Sequence, residues 1–174
     1  MIDKNIKNLK NYKDKYNVST NYKEIVDDID AVSIVTPKVN HYEIARYFIE
    51  RNKHVLIEKP MTQTVSEAKI DKSSKKHKKT IQIGHLERFN PVIRKVSSLI
   101  KNPLFIEVHR LAQFNPRSTD VNVIYDLMIH DIDITTSLVP SKIKKISHLG
   151  KASSPIKLIL QMQDLSFLME LLRI

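Results

Sequence analysis

Short apolar runs alternate with polar, lysine-rich stretches along this chain, and the spacing inside each run predicts its element. Ile6, Leu9, Tyr12 and Tyr16 fall at three- and four-residue steps, which predicts an amphipathic helix. Tyr22–Asp28 reads as a short helical piece. Ala31–Thr36 is a mostly apolar run stopped by Pro37, the pattern of a buried strand. Asn40 is placed to cap a helix over roughly 41–51, with Ile44, Ala45, Phe48 and Ile49 on its inner face. His54–Ile57 is a second strand, Ser66–Lys78 a further helix, and Thr80–Gly84 a third strand. That alternation calls for a parallel sheet with helices packed on it.

After Pro91 the pattern changes. Val92–Lys101 has helical spacing, and Leu104–Phe114 alternates like a half-buried strand. Asp120 can cap a long helix to about Val139 that turns Val123, Ile124, Leu127, Ile134 and Leu138 inward, and Lys142–Leu149 reads as a strand. The fold class expected is α/β: an incomplete Rossmann-type parallel sheet followed by the start of an α+β domain. The expected division is 1–88 for a partial dinucleotide-binding domain, 89–157 for a partial substrate domain and 158–174 for a tail.

Composition narrows the function classes. The chain has no cysteine, which excludes disulfides and thiolate metal sites. No apolar run approaches the ~18 residues of a membrane span, so the expected location is the cytoplasm and no membrane partner is expected. A net charge of +10, from 29 Lys+Arg against 19 Asp+Glu, invites a nucleic-acid reading. The excess lies mostly in Lys4–Lys15 and Lys69–Lys79, at helical spacing with few aromatics and no nucleic-acid motif. Solvated helix faces account for it better, and nucleic acid is not expected as a partner.

Candidate chemistry sits at strand ends. Lys59, in Glu58-Lys59-Pro60, follows the second strand at the edge where open parallel sheets bind ligands. In a dry cleft its ammonium could exchange protons with a hydroxyl or hold an alkoxide; alone, the triplet is equally a solvated lysine before a turn. Asp126 and His130 are four apart in a helical pattern and share a face, where the imidazole could take a hydroxyl proton and the carboxylate orient it. A pair that merely bonds to its helix neighbours is the alternative. Asp131 and Asp133 lie close by, but with one histidine and no second at ligand spacing no metal is expected. Pro37, Asn40 and His41 follow the first strand, where loops close over a dinucleotide, with helix capping by Asn40 as the plainer use. In Gly84–Pro91 the glycine lets backbone approach a ligand, with His85, Arg88 and Asn90 as polar groups around it. Arg117, in a loop after Pro116, suits a phosphate or carboxylate.

In order and spacing, Asp30–Pro37, Asn52–Pro60, Gly84–Pro91 and Asp126–Asp131 resemble the Gfo/Idh/MocA family of NAD(P)-dependent sugar oxidoreductases, over roughly residues 3–150. Gly84–Pro91 with the 117–133 stretch looks most like the family's nucleotide-sugar 3-dehydrogenases. The resemblance implies NAD or NADP as cofactor and a sugar or nucleotide sugar as substrate. It implies catalytic roles for Lys59, Asp126 and His130, and cofactor contacts at Asp3, Thr36, Pro37, Asn40, His41, Glu58 and Lys59. Substrate contacts fall to Lys59, His85, Arg88, Asn90, Arg117 and His130; a homo-oligomer is a further expectation.

Two departures qualify what this chain does alone. Its only glycines are Gly84 and Gly150, so it holds no Gly-x-Gly-x-x-Gly phosphate turn, and weak cofactor binding with little turnover is expected. Leu158–Ile174, back-translated and read two nucleotides downstream, admits the phrase Asp-Ile-Ala-Asn-Ala-Arg that the family carries there, although Met162 and Met169 allow no codon choice. The tail therefore reads as frameshifted. A gene remnant, a fragment complemented by a separate N-terminal piece, and a basic non-enzymatic binding protein are the competing readings.

Overall fold

The computed structural model describes residues 1–110, 124–139, 141–153 and 158–167, of which 71, 148–153 and 158–167 are described by backbone alone. The chain divides into two compact units, Met1–Gly84 and His85–Ile174.

The first unit is built on three parallel strands, β1 (Ala31–Ile34), β2 (His54–Ile57) and β3 (Ile81–Ile83), in that spatial order. Their register stacks Val32, Val55 and Ile81 in one row and Ile34, Ile57 and Ile83 in the next. Because side chains alternate along a strand, both rows face the same way. Helix α1 (His41–Ile49) lays Ala45, Phe48 and Ile49 on that face, and Ile70 joins them from the segment that follows β2. Each large apolar side chain buried there contributes roughly 1.5–3 kcal/mol of transfer free energy. The opposite face carries Ala31, Ser33, His54, Leu56 and Gln82 around an open groove of ≈ 280 Å³. The predicted parallel sheet with packed helices is therefore the fold of this unit.

Local details differ from the periodicity. The first helix is a 3-10 helix over Ile6–Tyr12 that buries only Leu9. Ile6, Leu9 and Tyr12 step by three, and three residues per turn is the 3-10 repeat. Asn40 does not cap α1 with its side chain; it belongs to a 3-10 turn, Lys38–Asn40, that feeds the helix directly. The helix expected over 66–78 is two pieces, α2 (Val65–Ala68) and α3 (Ile70–Lys76), parted at Lys69. Thr64 and Glu67 form a reciprocal capping box at the start of α2.

In the second unit, a 3-10 turn (Leu86–Phe89) leads into α4 (Pro91–Leu99), with Pro91 at the first helical position, where its missing N–H costs nothing. The strand expected from Leu104 is not formed over its described part, and Leu104 and Phe105 are almost fully exposed. A strand needs a ladder partner as well as alternation, and none is paired with 104–110 among the described residues. Residues 111–123, with Asp120, lie outside the described residues. A π-helical turn (Ile124–Met128) runs into α5 (Ile129–Leu138). Strand β4 (Ile143–Ser153) then pairs antiparallel with β5 (Leu158–Phe167), with a register shift between Ile143 and Lys145.

Candidate functional site

In the first unit the candidate residues collect where the strands end. The ladder runs past β1 and β2: the Glu58 N–H donates to the Ile34 carbonyl, and the Gly84 N–H donates to the Ile57 carbonyl. Glu58, which continues the central strand, is thereby tied to the end of β1, and Gly84, which continues β3, is tied to the end of the central strand; Lys59 follows Glu58 directly. Lys59 is half-buried, and the Lys59–Pro60 peptide is cis. The Glu58 carboxylate accepts from the Lys59 backbone N–H at 3.2 Å.

Gly84 has a different use from the one its sequence predicts. A Cβ built there would lie 3.1 Å from Cδ and from both carboxylate oxygens of Glu58. The glycine makes room for Glu58, whose carboxylate lies flat against it.

His41 is likewise committed inward. It is 1% exposed. Its Nδ1 lies 2.8 Å from the Pro60 carbonyl oxygen, and its Nε2 lies 2.8 Å from the Thr36 carbonyl oxygen. Both partners are acceptors, so both contacts are hydrogen bonds only when each ring nitrogen carries a proton; a neutral ring makes one. Both ring nitrogens of His41, a residue at which a cofactor contact is expected, therefore face main-chain carbonyls. Thr36 and Pro37 are exposed beside it, and Asn40 is half-buried.

Asp3 stands at the end of a short parallel bridge between Ile2 and Ser19. Its two carboxylate oxygens accept from the Asn8 amide at 2.9 Å and the Asn5 backbone N–H at 2.7 Å. These bonds hold its carboxyl below the ordinary carboxylate range, the Asn8 contact contributing most. It is ionised, and each oxygen accepts one bond from its own turn while keeping a further acceptor site.

In the second unit α5 carries His130, half-buried, with Asp126 one turn earlier in the π-helical stretch. The two carboxylates that follow His130 are each gripped by an arginine fork. Arg88 donates through Nε and Nη2 to Asp133 at 2.7 and 2.6 Å, and Arg110 donates in the same way to Asp131 at 2.7 and 2.6 Å. Such bidentate pairs are the strong, oriented class of charge-assisted hydrogen bond. They spend these carboxylates on arginines, and among the described residues no His/Cys/Asp/Glu group is arranged to hold a metal ion.

The Gly84–Pro91 motif is also absorbed locally. Arg88 uses one edge of its guanidinium on Asp133, and that bond raises its pKa further. His85 Nδ1 is buried, 3.8 Å from the same carboxylate. The Asn90 side-chain Oδ1 caps α4 by accepting from the Val92 N–H, while its Nδ2 donates to the Glu87 carboxylate. Arg117 lies outside the described residues. Sequence reasoning missed the Asp131 and Asp133 forks and gave Arg88 to the substrate; the signal available was two carboxylates just after His130 with Arg88 and the unassigned Arg110 upstream.

The family model described as "Oxidoreductase family, NAD-binding Rossmann fold", that of the Gfo/Idh/MocA proteins, matches residues 1–85. The chain is 38% identical to the UDP-N-acetylglucosamine 3-dehydrogenase of Acidithiobacillus ferrooxidans, a match covering 74% of this chain and 42% of that one. It is 30% identical to an inositol 2-dehydrogenase of Mycolicibacterium smegmatis, over 74% of this chain and 39% of that one. A solved structure of the A. ferrooxidans enzyme superposes with a TM-score of 0.84 at 30% identity, covering 94% of this chain and 56% of that one. Residues 1–85 of the chain carry the NAD-binding Rossmann domain of the Gfo/Idh/MocA oxidoreductase family. The chain spans about two-fifths of the length of the curated relatives it matches.

The cofactor fit is divided. The C-terminal edge of β1 and β2 gathers Thr36, Pro37, Glu58 and Lys59, four of the residues at which cofactor contacts are expected. For the pyrophosphate the family fold uses a Gly-rich turn, and the chain's two glycines are Gly84, filled by Glu58, and Gly150 in β4.

Proposed function

We propose that this chain is the nicotinamide-side and proton-transfer part of a sugar or nucleotide-sugar dehydrogenase, with UDP-N-acetylglucosamine as the first substrate to test. The observation that carries the reading is Lys59 at the C-terminal end of the central parallel strand, directly after Glu58, with that strand end fixed by the ladder bonds from Glu58 to Ile34 and from Gly84 to Ile57. The relative with 38% identity supplies the substrate class.

A nicotinamide cofactor would supply the hydride acceptor. The chain's own groups then have separable roles. The Lys59 ammonium would hold the negative charge that develops on a sugar oxygen, a role for which it needs only proximity and a water-poor setting. The His130 imidazole would take the hydroxyl proton, and Asp126 on the same helical face would set its orientation. Asp3 would take the adenosine ribose, which favours NAD over NADP because a carboxylate repels a 2′-phosphate.

One observation favours a second reading, completion by another polypeptide. With no Gly-rich turn in its sequence, the chain lacks the N–H cluster that holds a pyrophosphate. Titrating NAD⁺ and NADP⁺ into the full chain, alone and with a supplied strand–Gly-rich turn–helix peptide, separates the readings. Binding and UDP-N-acetylglucosamine oxidation by the chain alone establish the first. Binding only with the peptide establishes the second, and binding in neither sinks both. Nucleotide sequence around the reading frame tests the frameshifted tail: the Asp-Ile-Ala-Asn-Ala-Arg phrase is expected in the shifted frame after about residue 157.

A further inference from the structure

Two loops leave the C-terminal ends of β1 and β2, and one buried side chain touches both. Thr36 is two residues beyond β1, and Pro60 is three beyond β2 and adjacent to Lys59. Their carbonyl oxygens lie on opposite nitrogens of His41, each at 2.8 Å. The ring enters from the first residue of α1, and its backbone N–H donates to the Lys38 carbonyl, closing the turn that connects β1 to the helix. Both carbonyls are main-chain acceptors that need a partner, and one ring meets both. Neutral, it donates to one and packs against the other; protonated, it donates to both, so a single side chain sets the course of both loops.

We propose that His41 is a positioning residue: a brace that sets the Lys59–Pro60 loop against the Thr36–Pro37 loop and so fixes where the Lys59 ammonium stands. It acts through the main chain, because a ring 1% exposed with both nitrogens on carbonyls touches no ligand. Its imidazole is suited to this because its two polar atoms diverge from a flat ring, reaching two loops from one Cβ. The proposal rests on the reading of Lys59 given above, but its test does not.

The two arms can be removed one at a time. In asparagine the amide nitrogen is as many bonds from the backbone as Nδ1, and in glutamine as many as Nε2. His41→Asn can therefore keep the Pro60 arm, and His41→Gln the Thr36 arm. Amide hydrogen exchange on the full chain reads the result, with Lys59, Met61 and Thr62 reporting one loop and Asn40 and His41 the other. Loss of one buried hydrogen bond raises local opening about fivefold. His41→Gln is expected to speed exchange at Lys59, Met61 and Thr62 by about that factor over His41→Asn, and His41→Asn to do so at position 40, with Val55 and Leu56 in β2 unchanged. Equal exchange in the two variants, or a uniform rise through β1, β2 and β3, overturns the brace and leaves His41 as a core residue. Should neither variant fold, native-state exchange of the unaltered chain decides. One shared opening free energy for 38–41 and 59–62, below that of β2, supports the brace; separate openings overturn it. NAD⁺ titration tests the role of Lys59 on its own, so failure of that reading and failure of the brace give different results.

Discussion

The two units of this chain are held by different forces. In the first, order comes from apolar burial on a parallel ladder: Ile34, Ala45, Phe48, Ile49, Val55, Ile57 and Ile70 form one buried cluster. In the second, Val139 is the one buried apolar residue among those described, and the buried side chains of α5 are Asp133 and Thr135. There a helix carrying a candidate acid–base histidine is anchored by two arginine forks. Apolar packing is non-directional and tolerates small shifts, whereas a bidentate pair fixes an orientation and fails when either partner is lost. The sheet is thus held by the area it buries, and the histidine helix by the angle its arginine pairs set.

The largest expected effect breaks the first kind of order. Phe48 is fully buried, and Phe48→Ala should cost the first unit about 3–5 kcal/mol, read as a fall in the urea midpoint. Next comes the second kind. Asp133→Asn removes the charge from a buried carboxylate and should cost about 2 kcal/mol, and Asp131→Asn, whose carboxylate is somewhat more exposed, about 1 kcal/mol. A cycle with Arg88→Met and Arg110→Met isolates each pair. Salt sharpens the contrast, because ion pairs are screened and apolar contacts are not. Raising NaCl to about 1 M should narrow the gap between wild type and Asp131→Asn while leaving the Phe48→Ala deficit intact. If Asp131→Asn and Asp133→Asn are both neutral, α5 is held by packing and the distinction between the units fails. Thr64→Ala, which removes the capping box of α2, should cost about 1 kcal/mol at any salt concentration.

How much of this was legible in the sequence follows from the same division. The three parallel strands and α1 were readable because burial leaves a period in the apolar positions; Ala45, Phe48 and Ile49 were placed inward from spacing alone. Lys59 at a strand end was readable for the same reason. The 3-10 winding of 6–12 was less so, since a three-residue step fits both helices until a fourth turn distinguishes them. The forks on Asp131 and Asp133 left no period at all. They join residues 21 and 45 positions apart, and nothing in the local pattern says which arginine meets which carboxylate. His41 shows the limit most clearly: its sequence position beside a cofactor loop suggested a ligand contact, and only the fold reveals that its ring is turned to two carbonyls.

The smallest effect concerns Gly84, the last residue of the first unit. Sequence reasoning reserves a glycine at a strand end for a ligand's approach; the structure puts the Glu58 carboxylate there, 3.1 Å from where a Cβ would stand. These alternatives differ in what relieves a methyl group. The contact is with the far end of a flexible side chain, so Gly84→Ala should push the carboxylate aside by a few tenths of an ångström and cost under about 1 kcal/mol. In a Glu58→Ala background the same methyl group meets open space, and its cost should vanish. A Gly84→Ala penalty that persists without Glu58 would place the constraint in the backbone. A double-mutant cycle on the urea midpoint therefore decides whether this glycine serves its neighbour or its own chain.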